Sequence, residues 1–345
     1  MGAERVLVVG PAWVGDMVMA QSLYRYLKEA RPAVEIDVLA PDWSLPLLER
    51  MPEVAQGVRM PLGHGELGLP VRFRLGRSLR ERHYDQAIVL PRSLKAALVP
   101  FFAGARRRTG YQGEMRYGLI NDMRQLDREA LPMVVQRYIN LGRVTTKPER
   151  VPDIPNPQLR VDEANATALF ERFGLDGNRP AVAFAPGAEY GLAKQWPPEY
   201  FASLARRLAE RGVQVWVVGS DKDRAVGETI VGASEGAVLN LCGKTSLTDV
   251  VDLLSLAQVM VTNDSGLMHI GAAVGTEIVA LYGSSSPNYT PPLTRRKVVF
   301  FRELECSPCF ERTCPYGHTR CLGEIKPSMV LEKIQEIIDS MKELS

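Results

Sequence analysis

Residues 259–269 read Val259-Met260-Val261-Thr262-Asn263-Asp264-Ser265-Gly266-Leu267-Met268-His269, and this stretch decides the fold. A short apolar run, typical of a buried strand, stops at an Asn-Asp-Ser-Gly turn, and a helix of small residues is predicted at 267–274. Asp or Ser at such a junction caps a helix, and Gly lets a ligand approach the backbone. The free amides and the helix dipole favour an anion at the carboxyl edge of a strand, where open α/β sheets bind nucleotides. An ordinary capped helix has the same pattern, so the other segments of the chain must show whether this turn binds a ligand.

The segments around this stretch repeat the alternation of strand and helix. In the first half we predict strands at 5–10, 34–40 and 86–90, an extended piece at 109–112, and helices at 16–30, 67–82, 95–102 and 130–145. In the second half we predict strands at 181–185, 214–218, 238–241, 259–262 and 277–282, and helices at 198–211, 224–233, 247–256, 267–274 and 327–344. This pattern predicts α/β architecture with parallel sheets covered on both faces.

The length of 345 residues exceeds what one core usually supports, so two domains are expected. Residues 151–157 contain three prolines, which fix φ and remove backbone donors, and we interpret them as a linker. The prediction is a Rossmann-like domain at 1–150, a second at 151–326, and a C-terminal helix at 327–345 near the domain junction. Ligands are expected in the cleft between the two domains.

Composition narrows the class of protein. A hydrophobic share of 46% with 24% charged residues is typical of a water-soluble globular protein, and no run approaches the ~20 apolar residues that span a bilayer. The start has no signal-peptide layout, so a cytoplasmic location is expected. The net charge of +2 divides into +7 for residues 1–150 and −5 for the rest. A basic first half predicts an anionic partner, but its charges are too scattered to indicate nucleic acid.

Three other glycine turns follow predicted strands. Gly10 and Gly15 have Walker-loop spacing, but Asp16 stands where that motif needs Lys, and no G-x-G-x-x-G is present, so both nucleotide fingerprints are excluded. What remains is a carboxylate at the start of a helix, which is also a common capping arrangement. Lys194, in the turn 186–197, suits a diphosphate leaving group, although loop lysines are commonly just solvated. The turn 219–223 offers Ser220 and Asp223 to a ribose or base.

Five segments, taken together and in this order, resemble the ADP-heptose:lipopolysaccharide heptosyltransferases of glycosyltransferase family nine. They are GPAWVGDMVMAQSLYR (10–25), MPLGHG (60–65), PGAEYGLAKQWP (186–197), VTNDSGLMHIGAA (261–273) and YGSSSPNYTPP (282–292). The resemblance implies a GT-B fold and an inverting transfer of L-glycero-D-manno-heptose from ADP-heptose, with no cofactor required. Among the members, it is strongest to those whose acceptor is the first heptose of the inner core, on a Kdo-lipid A anchor at the cytoplasmic membrane face. Peripheral contact with that membrane is therefore expected.

The resemblance also assigns residues to roles. It places the general base on Asp16 and the phosphate-binding lysine on Lys194. The donor side comprises Gly187, Ala188, Glu189, Asp264, Ser265, Gly266 and His269. Relatives that add the first heptose often have hydroxyl residues where Ala188 and Glu189 stand here, so backbone amides must take a larger share of pyrophosphate binding. These roles agree with the chemistry, because glycosyl transfer needs a base for the acceptor and charge stabilisation for the departing ADP.

The acceptor carries phosphates and acidic sugars, which need cations. Arg92, Lys95 and Arg116 are our candidates in the basic first domain, although each could be a solvated surface charge.

Two rival functions are another nucleotide-sugar GT-B transferase and a non-catalytic scaffold that binds metal through cysteines.

The scaffold alternative depends on four cysteines within sixteen residues. In a cytosolic protein Cys306, Cys309, Cys314 and Cys321 fit a structural zinc or iron site better than disulfides. The first pair has zinc-knuckle spacing and the second is looser, so reduced thiols in a loop are the alternative. Cys242, which stands alone, is expected to be a small core residue.

Overall fold

The computed structural model describes residues 3–63, 65–144 and 153–343. The chain divides into two compact units, Met1–Pro157 and Gln158–Ser345. Of the segment 151–157, which we interpreted as a linker, Val151 and Pro152 fall outside the described residues, and 153–157 belong to no helix or strand. In the described part of the chain no helix combines the length and apolarity needed to cross a membrane.

The described first unit is a six-stranded sheet with helices. Its strands are β1 (Arg5–Val9), β2 (Glu35–Pro41), β3 (Val54–Met60), β4 (Gln86–Val89), β5 (Arg107–Tyr111) and β6 (Asp122–Arg124). Its helices are α1 (Val14–Ala30), α2 (Leu45–Glu49), α3 (Leu69–Ser78), α4 (Leu94–Phe102) and α5 (Val134–Gly142). The strand order is β3-β2-β1-β4-β5-β6, and every neighbouring pair is parallel.

The described second unit repeats this plan. Its strands are β7 (Ala181–Ala185), β8 (Gln214–Val217), β9 (Val238–Asn240), β10 (Val259–Asn263), β11 (Glu277–Tyr282) and β12 (Lys297–Phe301). Its helices are α6 (Glu163–Phe173), α7 (Pro198–Ala209), α8 (Arg224–Ala233), α9 (Leu247–Leu256), α10 (Gly266–Val274), α11 (Arg320–Gly323) and α12 (Pro327–Glu343). The order β12-β11-β10-β7-β8-β9 is again all parallel.

The central strands form because their residues are apolar on both faces, as a parallel sheet covered by helices requires. Every residue of β7 and β10 is buried. Strand order reverses between β1 and β4 in the first sheet and between β7 and β10 in the second. The carboxyl ends of these four strands therefore flank the crevices in which open α/β sheets bind ligands.

The predicted class, α/β with two doubly wound sheets, is confirmed. The sequence pattern missed β3, β6, β12, α2, α6 and α11, and it made the helices predicted at 67–82 and 130–145 longer than the observed α3 and α5. The helix predicted at 130–145 begins only at Val134, after Pro132, and ends at Gly142. The C-terminal helix α12 packs on α7 and β11 of its own unit.

Candidate active site

The first crevice of interest lies at the carboxyl edge of the second sheet. β10 pairs directly with β7, from Val259 opposite Val182 to Thr262 opposite Ala185. The two strands therefore deliver the turns that follow them, at 186–197 and 264–266, to the same edge. Two segments far apart in sequence form one candidate site.

Lys194 and Asp264 meet at this edge as an ion pair. Lys194 Nζ lies 2.5 Å from Asp264 Oδ2, and the two side chains are only 16% and 5% exposed. Thr290 Oγ1 donates to Asp264 Oδ1 at 3.3 Å. Because water hardly screens this pair, each charge depends on the other, and removing one would leave the other buried and uncompensated. The pair is a preformed place for a ligand with both anionic and hydroxyl groups.

Asn263, the last residue of β10, fixes the turn that carries the lysine. Its Oδ1 accepts a hydrogen bond from the Trp196 backbone N–H at 3.0 Å, and its Nδ2 donates to Pro186 O at 2.6 Å. Asn263 is fully buried, so these bonds do not compete with water. Both ends of the 186–196 turn are thus tied to β10. From its sequence pattern Asn263 is only part of a turn, and nothing in that pattern indicates this positioning role.

His269 lies on α10 close to the ion pair. The pKa of His269 is lowered to about 4, mainly because the imidazole is buried; the charge of Asp264 opposes this shift and that of Lys194 adds to it. The imidazole is therefore neutral at pH 7 and adds no positive charge. Ser265 precedes α10, and no described side chain caps the helix there. The first amides of α10 are consequently available to an anion.

An aromatic ring covers the lysine from the side of the cysteine loop. Lys194 Nζ lies 5.0 Å and Arg312 Cζ 5.3 Å from the centre of the Tyr190 ring. Tyr190 OH donates to Phe310 O at 2.6 Å, and a Cβ on Gly191 would come within 2.4 Å of Arg312 O. The loop around residue 310 therefore rests directly on the turn that carries Lys194. Sequence reasoning missed these contacts, since nothing in either segment indicates the other.

The remaining predicted donor residues form two small groups. A Cβ on Gly187 would lie 2.2 Å from Asp223 Oδ1, and Asp223 Oδ2 accepts from both the N–H and the hydroxyl of Ser220 at 2.8 Å. Gly187 and the Ser220–Asp223 turn therefore lie together. Glu189 forms an ion pair with Lys222 at 2.6 Å, but both side chains are more than half exposed, so this pair contributes little to the stability of the fold.

Asp16 lies in the first unit, in the first turn of α1 and half-buried. The turn that precedes it packs tightly: a Cβ on Gly10 would lie 2.8 Å from the end of the Met17 side chain. A carboxylate in a first helical turn is favoured by the helix dipole. The geometry thus presents a partly accessible acid at the switch point of the first sheet.

The three predicted acceptor cations differ in their surroundings. Arg116 is fully buried, and its guanidinium donates to the carbonyl groups of Pro91 and Tyr111, which assigns it a structural role. Burial lowers the pKa of Arg116 to about 10. Lys95 lies half-buried in the first turn of α4, and Arg92 is exposed. Of the three, Arg92 and Lys95 have side chains that solvent can reach.

Arg92 also borders a polar cavity at the carboxyl edge of β4, β5 and β6. The cavity has a volume of about 280 Å³ and is lined by Arg92, Gln112, Gly113, Gln125, Leu126 and Arg128. Among the described residues that line it are two arginines and two glutamines, with no Asp or Glu. Such a set favours a carboxylate or phosphate group. Arg128, Gln112 and Gln125 were missed from the sequence, because only the fold brings them beside Arg92.

The cysteine cluster gives no support to a metal site. No group of three or more His, Cys, Asp or Glu side chains among the described residues is placed to hold a metal ion. The four thiols nevertheless share a neighbourhood, because burial and the charges of Cys306, Cys309 and Cys314 all raise the pKa of Cys321. Cys242 is fully buried beside β8, as a core residue would be. We therefore derive no role for zinc or iron.

Comparison with known proteins gives consistent matches. The chain matches glycosyltransferase family 9 (heptosyltransferase) over residues 72–320. It is 46% identical to lipopolysaccharide heptosyltransferase 2 of Escherichia coli K12 over 342 residues, which cover 97% of this chain and 98% of the relative. It is 46% identical to lipooligosaccharide heptosyltransferase 2 of Haemophilus influenzae over 344 residues, 96% and 99% of the two chains. The solved structure of E. coli ADP-heptose LPS heptosyltransferase II is similar with a TM-score of 0.85 at 43% identity, covering 98% of this chain and 99% of that one.

Proposed function

This chain belongs to glycosyltransferase family 9, the heptosyltransferases, and from that premise we propose that it transfers a heptose from ADP-heptose onto the first heptose of the lipopolysaccharide inner core. The observation that carries the proposal is the buried Lys194–Asp264 pair at the start of α10. The reaction belongs at the cytoplasmic face of the inner membrane, where a Kdo-lipid A acceptor is anchored.

The donor side of the reaction uses the second unit. When the glycosidic bond to ADP breaks, negative charge develops on the departing phosphate, and Lys194 with the first amides of α10 stabilises it. As the phosphate draws Lys194, Asp264 becomes an acceptor for hydroxyl groups of the sugar, which orients the anomeric carbon. Glu189 lies on the exposed side of this turn, so we give it no catalytic role.

The acceptor side uses the first unit. Asp16 removes the proton from the acceptor hydroxyl, the resulting oxygen attacks the anomeric carbon, and ADP leaves with the electron pair of the broken bond. Attack from the face opposite ADP inverts the anomeric configuration. Arg92 and Lys95 hold the anionic groups of the acceptor at the carboxyl edge of β4. The proposed transfer requires no cofactor.

The test is an acceptor-dependent ADP-release assay. ADP-heptose is compared with UDP-sugars, and a Kdo-lipid A acceptor that carries the first heptose is compared with one that lacks it. We expect ADP release only with ADP-heptose and the heptosylated acceptor. Activity with a UDP-sugar would indicate a different family 9 donor, and equal activity without the first heptose would reassign the acceptor.

A matched pair of lysine variants tests whether the Lys194–Asp264 pair belongs to the donor site. Lys194→Ala should lose most ADP release, whereas Lys333→Ala, which removes a partly exposed lysine paired with Glu336 on α12, should not. Equal activity of the two variants would remove Lys194 from the donor site.

A further inference from the structure

Two segments of the first unit are cationic without any acidic residue. Residues 67–80 contain four arginines and residues 94–108 contain one lysine and three arginines, and neither segment has an Asp or Glu. Residues 1–150 as a whole carry sixteen acidic side chains, so this separation is local. The two segments include α3 and α4, which pack against each other.

The same helices expose large apolar side chains. Leu67, Leu69, Phe73 and Phe101 are 53%, 47%, 45% and 42% exposed. Leu69 and Phe73 are one helical turn apart on α3 and are followed one turn later by Arg77, so they share a face. Single exposed apolar residues are ordinary, but a continuous group rimmed by polar residues marks an interaction surface.

Ring contacts make the group continuous. The Phe102 ring lies 5.1 Å from the Phe73 ring and 5.6 Å from the Phe101 ring, measured between centroids, and so joins the two helices. A Cβ on Gly76 would come within 2.4 Å of Phe102 Cβ and 2.9 Å of Val99 O. The helices therefore touch almost backbone to backbone, which fixes the rings in one surface.

Guanidinium groups border these rings. Arg77 Cζ lies 6.0 Å from the centre of the Phe73 ring, and Arg108 Cζ lies 5.5 Å from that of Phe101. Arg108 donates to the backbone carbonyl groups of Leu119 and Ala105, and so keeps its positive charge without a carboxylate in these bonds. Arg74 and Arg77 are exposed on α3. Apolar rings bordered by arginines match an anionic bilayer, in which rings enter the headgroup layer and cations meet the phosphates.

We propose that the α3–α4 surface, formed by Leu67, Leu69, Phe73, Arg74, Arg77 and Phe101, docks on an anionic lipid bilayer. The inference extends the proposed function, since it supplies the contact that a lipid-anchored acceptor requires. A second copy of this chain is a poor occupant, because a twofold contact would oppose cation to cation. The surface also lies close to the proposed acceptor residues: α4 begins at Leu94, so it contains Lys95 and starts two residues after Arg92.

Vesicle co-sedimentation without any substrate tests the docking. The full chain is mixed either with vesicles of phosphatidylcholine alone or with vesicles that also contain about 30% phosphatidylglycerol. The second composition gives the vesicle surface the negative charge of an anionic membrane leaflet. We expect binding to the anionic vesicles only. Arg74→Glu with Arg77→Glu should lower the partition coefficient at least about tenfold, since each basic residue near an anionic surface contributes severalfold. The matched control Arg207→Glu with Arg295→Glu, an equal charge change in the second unit, should bind like the parent.

Equal loss in both double variants would show that net charge alone drives binding, and parental binding by the α3 variant would overturn the proposal. Phe73→Ser with Phe101→Ser tests the apolar part and should also lower binding, with an unchanged circular dichroism spectrum and melting temperature. If these substitutions instead dissociate an oligomer seen by analytical ultracentrifugation, the surface is a protein interface and the proposal is wrong. Because vesicle binding needs no heptose donor, its result stands whether or not the ADP-release assay succeeds.

Discussion

The two sheet edges carry opposite charges at equivalent positions. In the first unit an acid, Asp16, follows β1, and a cation, Arg92, follows the strand across the switch point, β4. In the second unit the cation Lys194 follows β7, and the acid Asp264 follows β10. The two sheets therefore have charged residues at the same two topological positions, but with opposite signs.

The edges also differ in their contact with water. Asp264 is 6% exposed and is locked against Lys194, whereas Asp16 is half-buried and Arg92 is exposed. A buried pair holds its charges in fixed positions, which suits a phosphate that must be stabilised as it departs. A partly hydrated carboxylate can exchange a proton with an acceptor and then with water. We infer that the dry edge orients and stabilises charge, and that the wetter edge performs proton transfer.

The largest expected effect comes from removing the acid of the wetter edge. Asp16→Asn keeps the shape of the side chain but cannot take a proton, so turnover should fall about 10²–10⁴-fold, the usual contribution of a general base. Turnover at saturating ADP-heptose measures this, and donor affinity by calorimetry should not change. Asp42→Asn, which removes an exposed acid paired with Arg59, is the control. Turnover near that of the parent would place the base elsewhere.

The second effect concerns the cation of the dry edge. Lys194→Ala should lower kcat/KM for ADP-heptose by roughly 2–4 kcal/mol in transition-state free energy. It should also lower the melting temperature, because Asp264 is left buried without its partner. The double variant Lys194→Met with Asp264→Asn should regain the melting temperature but not the activity. A single variant with parental stability and kinetics would show that the pair is dispensable.

The third effect is the pH dependence of stability, which tests whether His269 at this edge is shielded from water. The pKa of His269 is about 4 in the folded chain and near 6.5 when unfolded, so between these values the unfolded state binds the extra proton. Stability should therefore be complete above pH 6.5 and should fall as the pH is lowered toward 4. His269→Asn removes this contribution, and its melting temperature should decline by at least a few degrees less over the same window. Parallel curves for parent and variant would mean that the imidazole is hydrated.

The central strands could be predicted from the sequence, because burial on both faces leaves a continuous apolar run. β7 was located to the residue and β10 to within one. Two edge strands, β3 and β6, could not be predicted: β3 is mostly exposed and β6 has three residues, so neither leaves such a run, although the edge strand β9 was predicted. Their existence depends on pairing with a neighbour rather than on their own composition.

The candidate site divides in the same way. Asp16, Lys194 and Asp264 could be proposed from the sequence because each lies in or next to a glycine-containing turn that follows a buried strand. The acceptor cations could not be chosen in this way, because the sequence does not distinguish a buried arginine such as Arg116 from an exposed one such as Arg92. The difference lies in the backbone carbonyl groups that surround Arg116, which come from segments more than twenty residues away as well as nearby.

The smallest expected effect concerns salt, and it compares the hydrated cations of the first edge with the buried cation of the second. Exposed charges lose their attraction as the Debye length shrinks from about 10 Å at 0.1 M to about 3 Å at 1 M salt, whereas a buried pair is screened much less. The KM for the acceptor should therefore rise severalfold with ionic strength while the KM for ADP-heptose changes little. Arg92→Glu or Lys95→Glu should produce the same rise at low salt and flatten the salt response, because the attraction being screened is already gone. A soluble, deacylated acceptor must be used, so that membrane binding does not contribute to the measurement. Equal salt sensitivity of the two substrates, or an unchanged acceptor KM in both reversals, would place the acceptor on a part of the chain other than the carboxyl edge of β4.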